Sequence, residues 1–233
     1  FVPTMGALHM GHASLIEKAS KECQIVVVSI LVNPTQFNEK ADLESYPRDL
    51  DNDVIVAEKA GATILFTPTP KDVYGGTPYA EPVDYGLITS TFEGLSRKGH
   101  FDGVVSVVDK LFLAVKPNRA YFGSKDLQQV AVVKKMSSER HPKIKIVSCD
   151  LIRDENGLAL SSRNIRLSDA GILVAQNISQ ELQKVAKRVK EGRGVIDSVE
   201  IAKKKLTNVE GLELEYISGV NEKTFSISTE NSG

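Results

Sequence analysis

The sequence predicts an α/β protein: a Rossmann-like, doubly wound parallel sheet followed by a smaller α+β C-terminal domain. Three observations carry this reading. Short, β-branched apolar segments alternate with helix-length amphipathic segments over residues 1–150, the pattern of parallel βαβ units. Polar residues able to do chemistry cluster directly after those apolar segments, at 4–12, 33–37, 123–129 and 153–164, and ligands of such sheets bind beyond the carboxyl ends of the strands. After about residue 150 the alternation gives way to a loop-rich stretch and two helical patterns.

Phe1 and Val2 read as a strand stub, followed by Pro-Thr-Met-Gly-Ala-Leu-His-Met-Gly-His at 3–12 and an amphipathic run at 13–23 with Leu15, Ile16 and Ala19 on one face. Residues 25–32 form the most hydrophobic strand candidate. The next helix presents Leu50, Val54, Ile55 and Ala57 as its face and closes at Gly61. A strand at 62–67 precedes a helix marked by Val104, Val105, Val108, Leu111, Phe112 and Val115, which Pro117 stops. A strand at 120–122, a helix after Asp126 with Val130, Val133 and Met136, and a strand at 144–149 complete the first domain, 1–150. The second, 151–233, has helices at 168–191 and 195–207 separated by Gly192 and Gly194, then a strand-like 214–220. Both ends of the sequence read as cut, so this second domain is expected to be incomplete.

Composition excludes several classes. A hydrophobic content of 41%, 25% charged residues and a net charge of −1 over 233 residues suit a globular chain without a nucleic-acid or membrane partner. Lysines crowd at 184–205, but the glutamates among them suggest a solvated helical face. Cys23 and Cys149 make neither a disulfide framework nor a metal motif, which points to a reducing, cytoplasmic setting. No apolar run approaches the roughly 18 residues of a membrane span.

The densest chemistry is at the start. His9 and His12 are two of the four histidines, placed where a strand turns into a helix, with Gly11 between them. Helix N-termini attract anions through free N–H groups and the dipole, and imidazoles add directed donors that follow charge onto phosphate oxygens. A metal site would need a third ligand, and His100 and His141 are far away in sequence; no direct metal ligation by the protein is expected. Asn33-Pro34-Thr35-Gln36-Phe37 follows a strand, where amides can hold a small polar substrate, although an Asn-Pro turn alone is ordinary. Gly123-Ser124-Lys125-Asp126 opens a helix: Gly123 permits close approach, Lys125 is a mobile cation, and Asp126 is a cap or an acceptor for ribose hydroxyls. Of Gln128 and Gln129, one should face the site. The run 157–164 offers hydroxyls and the fork-shaped Arg163, which with Arg153 suits a leaving pyrophosphate; otherwise it is a polar interdomain loop. Arg97-Lys98-Gly99-His100-Phe101 reads as a lid or interface piece and Tyr46-Pro47 as a mobile lip. Neither a Walker A sequence nor a Gly-x-Gly-x-x-Gly fingerprint occurs.

Taken together, FVPTMGALHMGH at 1–12, VNPTQF at 32–37, YPRD at 46–49, GHFDGV at 99–104, YFGSKDLQQ at 121–129 and GLALSSRN at 157–164 resemble the pantothenate synthetase (pantoate–β-alanine ligase) family of the nucleotidyltransferase superfamily. Ser124 and Leu160 depart from the family's commoner residues. The resemblance implies two-step ligation: pantoate attacks the α-phosphorus of MgATP, then β-alanine captures the pantoyl adenylate, giving pantothenate, a coenzyme A precursor, with AMP and pyrophosphate. It implies catalytic roles for His9, His12, Lys125 and Arg163, with Ser161 and Ser162 joining them on the phosphates. Met5, Gly6, Gly123, Asp126, Ile152 and Leu160 would complete the ATP site. Gln36 and Gln129 would orient pantoate, with Asn33 and Tyr46 bordering its pocket. The second domain would act as a lid, and the protein would be a homodimer using Mg2+ with ATP. Two rivals stand beside this: transfer of a nucleotidyl group to a phosphate acceptor, disfavoured by the neutral Gln36 and Gln129, and a non-catalytic nucleotide sensor, disfavoured by retention of His9, His12, Lys125 and Arg163 together.

Overall fold

Phe1 joins two small parallel sheets into one. In the computed structural model, which describes residues 1–228, β1 (Val2–Thr4), β2 (Val27–Ile30) and β3 (Ile64–Phe66) pair in parallel, with Val2 opposite Val28 and Val27 opposite Ile64. β4 (Arg119–Gly123) and β5 (Lys145–Cys149) form a second parallel pair. The Phe1 N–H donates to the Arg119 carbonyl at 2.8 Å, and the Tyr121 N–H donates to the Phe1 carbonyl at 2.9 Å. A residue bonded alternately to positions either side of its neighbour is the parallel ladder pattern. The strand order is therefore β3-β2-β1-β4-β5, and it reverses between β1 and β4, where a ligand is expected.

Helices cover both faces of this sheet within the unit Phe1–Ile152. On one face α1 (Met10–Glu22) and α3 (Leu50–Lys59) bury Ala13, Ile16, Ala19 and Ala57 with Val2, Val28 and Tyr121. On the other, α7 (His100–Val115) and α8 (Leu127–Arg140) bury Val104, Val108, Phe112, Val130, Val133 and Met136 with Phe1 and Leu31. Short helices α2 (Lys40–Glu44), α4 (Pro70–Tyr74), α5 (Leu87–Ser90) and α6 (Glu93–Ser96) occupy the connections. Each strand and helix expected in the first 150 residues is present, with the ends moved by a few positions.

One expected face is wrong. Leu50, Val54 and Ile55 of α3 are 51%, 42% and 49% exposed, whereas Asp53 is 1% exposed. Asp49 caps the helix by accepting from the Asn52 N–H at 3.1 Å, and the helix is turned so that Asp53 reaches the segment after β1. Hydrogen bonds to a charged group contribute about 1.5–3 kcal/mol each, enough to outweigh aliphatic side chains left half in water.

The unit beginning at Arg153 opens with a tight hairpin: Arg153 bridges Ala159, Gly157 takes φ +87°, and the Asp154 carboxylate accepts from the Asn156 and Leu158 N–H groups. α9 (Asp169–Lys190) is capped by Ser168 and pairs with α10 (Val195–Thr207), which buries Ala202 and Leu206. The lysine-rich face here is not simply solvated, since Lys184 and Lys205 both lean on the buried Glu181, at 2.7 and 3.8 Å, with Arg188 at 3.6 Å. The strand-like 214–220 joins no ladder among the described residues; only Val220 bridges, to Ile227. Its apolar alternation supplies one face of a strand but no partner edge.

Phe112 packs edge-on to both Phe1, at 6.3 Å between ring centroids, and His141, at 5.5 Å. Phe112→Ala is expected to cost about 3–5 kcal/mol of unfolding free energy, the usual range for a buried aromatic; urea unfolding monitored by circular dichroism checks it.

Candidate active site

The segment that follows β1 is shaped from both sides. The Thr4 hydroxyl donates to the Ser29 carbonyl at 2.6 Å and accepts from the Gly6 N–H at 3.2 Å. Gly6 and Ala7 then take φ +80° and +50°, and the buried Asp53 carboxylate accepts from the Ala7 N–H at 3.0 Å and the Leu8 N–H at 2.6 Å. Burial pushes the Asp53 carboxyl up, and those two N–H groups oppose the shift. His9 emerges as the N-cap of α1.

At this cap the two imidazoles stand in for the usual Ser/Thr and Glu of a helix start. His9 Nδ1 accepts from the Gly11 N–H at 3.1 Å, and His12 Nδ1 accepts from the His9 N–H at 3.3 Å. The ring centroids are 4.1 Å apart. A nitrogen that accepts must keep its lone pair, so each neutral ring carries its proton on Nε2 and presents one N–H donor. Burial, then His9 and then Lys125, push the His12 pKa down to about 3; burial and Lys125 lower that of His9. Both rings are thus neutral donors at pH 7, and the field of Lys125 reaches both.

Lys125 lies in the 3-10 turn Ser124–Asp126 that links β4 to α8, across the point where strand order reverses. Asp126, expected to cap α8, makes no side-chain cap bond; its carboxylate accepts from Lys125 Nζ at 3.2 Å. Two residues on, the glutamines part. Gln128 is buried, accepting from the Glu93 N–H and donating to the Ile88 and Thr91 carbonyls, at 2.8–3.1 Å. Gln129 is half-buried and has no hydrogen-bond partner among the described residues.

The 3-10 turn Pro34–Gln36 rests on the start of α7. Asn33, expected to border the pocket, is 1% exposed and commits its amide to the protein. It donates to Gln36 Oε1 and the Gly103 carbonyl, both at 3.1 Å, and accepts from Thr35 Oγ1 at 3.0 Å and the Tyr74 hydroxyl at 2.8 Å. It therefore orients Gln36. His100, expected in a lid or an interface, is buried, with Nδ1 2.8 Å from the Gln36 carbonyl; burial lowers its pKa, so a neutral Nδ1–H donates there. A Cβ on Gly103 would meet the Thr35 carbonyl and lie 2.6 Å from the Gln36 nitrogen. The Gly-His-Phe-Asp-Gly stretch is thus the seat of the Asn33 turn. Nor is Tyr46 a mobile lip: its ring is buried edge-on to Phe37 at 5.6 Å, and Arg48 donates to its carbonyl at 3.1 Å.

Met5 is half-buried and Gly6 buried beside the histidine turn; Gly123 and Ile152, both half-buried, end β4 and the first unit. In the second unit Leu160, Ser161, Ser162 and Arg163 are half-buried, with Ser161 Oγ accepting from the Arg163 N–H at 3.3 Å. Arg153, expected on a leaving pyrophosphate, donates NH1 to the Gly157 carbonyl of its own hairpin at 3.0 Å. Among the described residues no three His, Cys, Asp or Glu side chains cluster as metal ligands, and no helix is long and apolar enough to cross a membrane.

Asp53 is the support that motif reading missed, while His100 and Gly103, expected in a lid or interface piece and a family motif, instead seat the Asn33 turn. The available signal for Asp53 was its position four residues before Ala57, on the small-residue side of α3. For Gly103 it was a glycine inside an otherwise apolar helix, which signals close backbone approach.

A doubly wound sheet whose order reverses between a two-histidine helix cap and a lysine-bearing turn is the arrangement of a nucleotidyltransferase-type enzyme. The family model for pantoate-beta-alanine ligase matches residues 1–232, and the chain belongs to that family. It is an ATP-dependent ligase that joins pantoate to β-alanine through a pantoyl adenylate. The pantothenate synthetase of Cytophaga hutchinsonii is 44% identical over 231 residues, covering 99% of this chain and 81% of that protein. That of Bacillus velezensis is 50% identical over 192 residues, covering 82% and 67%. The crystal structure of pantothenate synthetase from Thermus thermophilus superposes with a TM-score of 0.94 at 38% identity, covering 99% of this chain and 83% of that one. The pantoate-beta-alanine ligase of Francisella tularensis, complexed with beta-gamma ATP and beta-alanine, gives 0.84 at 39%, covering 95% and 81%.

Two outcomes follow from the geometry. His12 has a folded pKa of about 3 against 6.5 for the free side chain. Its contribution to stability is therefore intact above about pH 6.5 and is lost as pH falls towards 3, because the unfolded chain binds the proton first. Ring 15N shifts should show an Nε2–H tautomer that does not titrate between pH 8 and about 4; a midpoint near 6.5 contradicts the cap geometry. Separately, Gly103→Ala should displace the Asn33 turn and raise KM for pantoate by about tenfold while changing KM for ATP little, a loss of ground-state binding that steady-state kinetics resolves.

Proposed function

We propose that the first half-reaction is carried by the two neutral Nε2–H donors of His9 and His12 together with the Lys125 ammonium. A carboxylate oxygen of pantoate attacks the α-phosphorus of ATP. The new O–P bond forms as the bond to the β-phosphate oxygen breaks, and pyrophosphate leaves with that electron pair. Negative charge moves outward onto phosphate oxygens, and preorganised donors there lower the barrier without any proton transfer. No side-chain nucleophile is called for, because the substrate carboxylate supplies it. In the second half-reaction the β-alanine amine attacks the acyl carbon, AMP leaves with the acyl–oxygen electron pair, and the proton lost by the nitrogen passes to solvent water.

Gln36 and Gln129 are the pantoate-orienting residues in this reading. Gln36 is aimed by Asn33 and His100, and Gln129 stands one position from the anchored Gln128. Neutral amides suit a hydroxy acid, whereas a phosphate acceptor calls for more cations. Asp126 and Gly123 take the ribose, with Met5, Gly6, Ile152 and Leu160 along the nucleotide and Ser161, Ser162 and Arg163 as further phosphate ligands. Their assignment rests on the family resemblance.

Mg2+ enters as part of the MgATP substrate. The His9 and His12 Nδ1 lone pairs are already committed to backbone N–H groups, so these rings offer protons, which fits phosphate oxygens and not a cation. The assembly expected from the family is a homodimer, and two free thiols, Cys23 and Cys149, suit a reducing, cytoplasmic compartment.

The observation that carries this proposal is the pairing of Nε2–H donors at the α1 cap within the field of Lys125. His9→Ala and Lys125→Ala should each slow pyrophosphate release from ATP and pantoate, without β-alanine, by about 10². Rates near wild type reject the assignment, and AMP formation that needs β-alanine but accepts other acids in place of pantoate rejects the substrate.

A further inference from the structure

Asp53 is a buried carboxylate whose two oxygens are both occupied by backbone. Oδ1 accepts from the Leu8 N–H at 2.6 Å and Oδ2 from the Ala7 N–H at 3.0 Å, the two amides directly before His9. That stretch has no repetitive structure of its own, and Gly6 and Ala7 take consecutive positive φ values of +80° and +50°. A non-glycine residue at such a φ costs on the order of 1–3 kcal/mol and persists only where its surroundings over-determine it. A Cβ on Gly6 would lie 2.8 Å from Asp53 Oδ2, so the carboxylate packs against the turn with no slack. α3 is rotated to deliver it, which leaves three aliphatic side chains exposed.

We propose that Asp53 is a positioning residue for adenylate formation: its carboxylate fixes the Ala7 and Leu8 amides so that the His9 and His12 Nε2–H donors stand where phosphate charge develops. This rests on the reading that those donors serve the transferring phosphates. Asp53 touches no reacting atom. The pantoate-orienting side chains are held independently, Gln36 by Asn33 and His100, and Gln129 by the helix that Gln128 anchors. Loosening the turn therefore acts on one half-reaction and leaves substrate binding and aminolysis alone.

The test separates the half-reactions in the full chain. Asp53→Asn keeps the volume but sets an amide NH2 against one of the two N–H groups it must accept. It should slow single-turnover pyrophosphate formation from ATP and pantoate by about 10- to 100-fold, the usual cost of small misplacement. KM for pantoate should stay within about twofold, and aminolysis of supplied pantoyl adenylate by β-alanine within about threefold, as expected for loss of a transition-state interaction. Asp53→Glu keeps the charge and both acceptor oxygens but adds a methylene where the carboxylate already packs against Gly6 without slack; it should give the same signature, deciding the matter if Asp53→Asn does not fold. Equal losses in both half-reactions, or unchanged pyrophosphate formation in both variants, overturn the inference. His9→Ala run alongside distinguishes the two levels: if it too forms pyrophosphate at the wild-type rate, the phosphate role of the histidines falls, whereas a slow His9→Ala with two fast Asp53 variants removes the positioning role alone.

Discussion

Backbone amides that leave a sheet strand and enter a helix have no ladder partner, and where they are buried something must accept them. After β1 that acceptor is the Asp53 carboxylate, bonded to the Ala7 and Leu8 N–H groups. The contact joins the left-handed turn at Gly6 and Ala7, which leads into the His9 helix cap, to α3, whose Leu50, Val54 and Ile55 stay exposed while Asp53 is buried. Hydrophobic patterning assigns α3 a different face. It loses because an unsatisfied buried amide or carboxylate costs more than a few half-exposed aliphatic groups.

The same arrangement recurs around the sheet. The turns that carry the histidines and Gln36 are both held by neighbouring side chains bonded to their backbone. Asn33 and His100 hold Gln36, with Gly103 giving the backbone room to approach. Gln128 ties α8 to the α5–α6 connection, while the neighbouring Gln129 has no hydrogen-bond partner among the described residues. Sites of this kind are precise because rotamers and tautomers are settled before substrate arrives.

Charge is arranged with similar restraint. Two imidazoles at a helix N-terminus meet a positive dipole end and the Lys125 ammonium, and burial adds to both in disfavouring protonation. Neutral rings avoid stacking a third and fourth positive charge against the lysine, while their Nε2–H groups still donate. A ligase whose nucleophile is the substrate's own carboxylate gains from donors that hold position and protonation state, since adenylate formation moves negative charge across phosphate and transfers no proton.

The alternation of apolar and amphipathic segments determined the strands, the helices and the ends at which chemistry collects, because side-chain periodicity and turn residues act locally. The motifs His9-x-x-His12, Asn33 to Phe37 and Gly123 to Gln129 were legible for the same reason: each is contiguous, and the family pattern is carried by residue identity. What the sequence alone left undecided was which members touch a ligand and which support those that do. Asn33 and Gln36, or Gln128 and Gln129, are alike as residue types, and only the positions of Gly103, Tyr74, Ile88 and Thr91 separate them. Asp53 carries no local signal of its role and His100 reads as a lid or interface piece, until the packing of α3 and α7 brings them against amides and carbonyls more than forty residues away. Strand order is of the same kind: two hydrogen bonds from Phe1 to β4 place the reversal beside the histidines. These are long-range pairings, set by where buried polar groups find partners, and no local pattern encodes them.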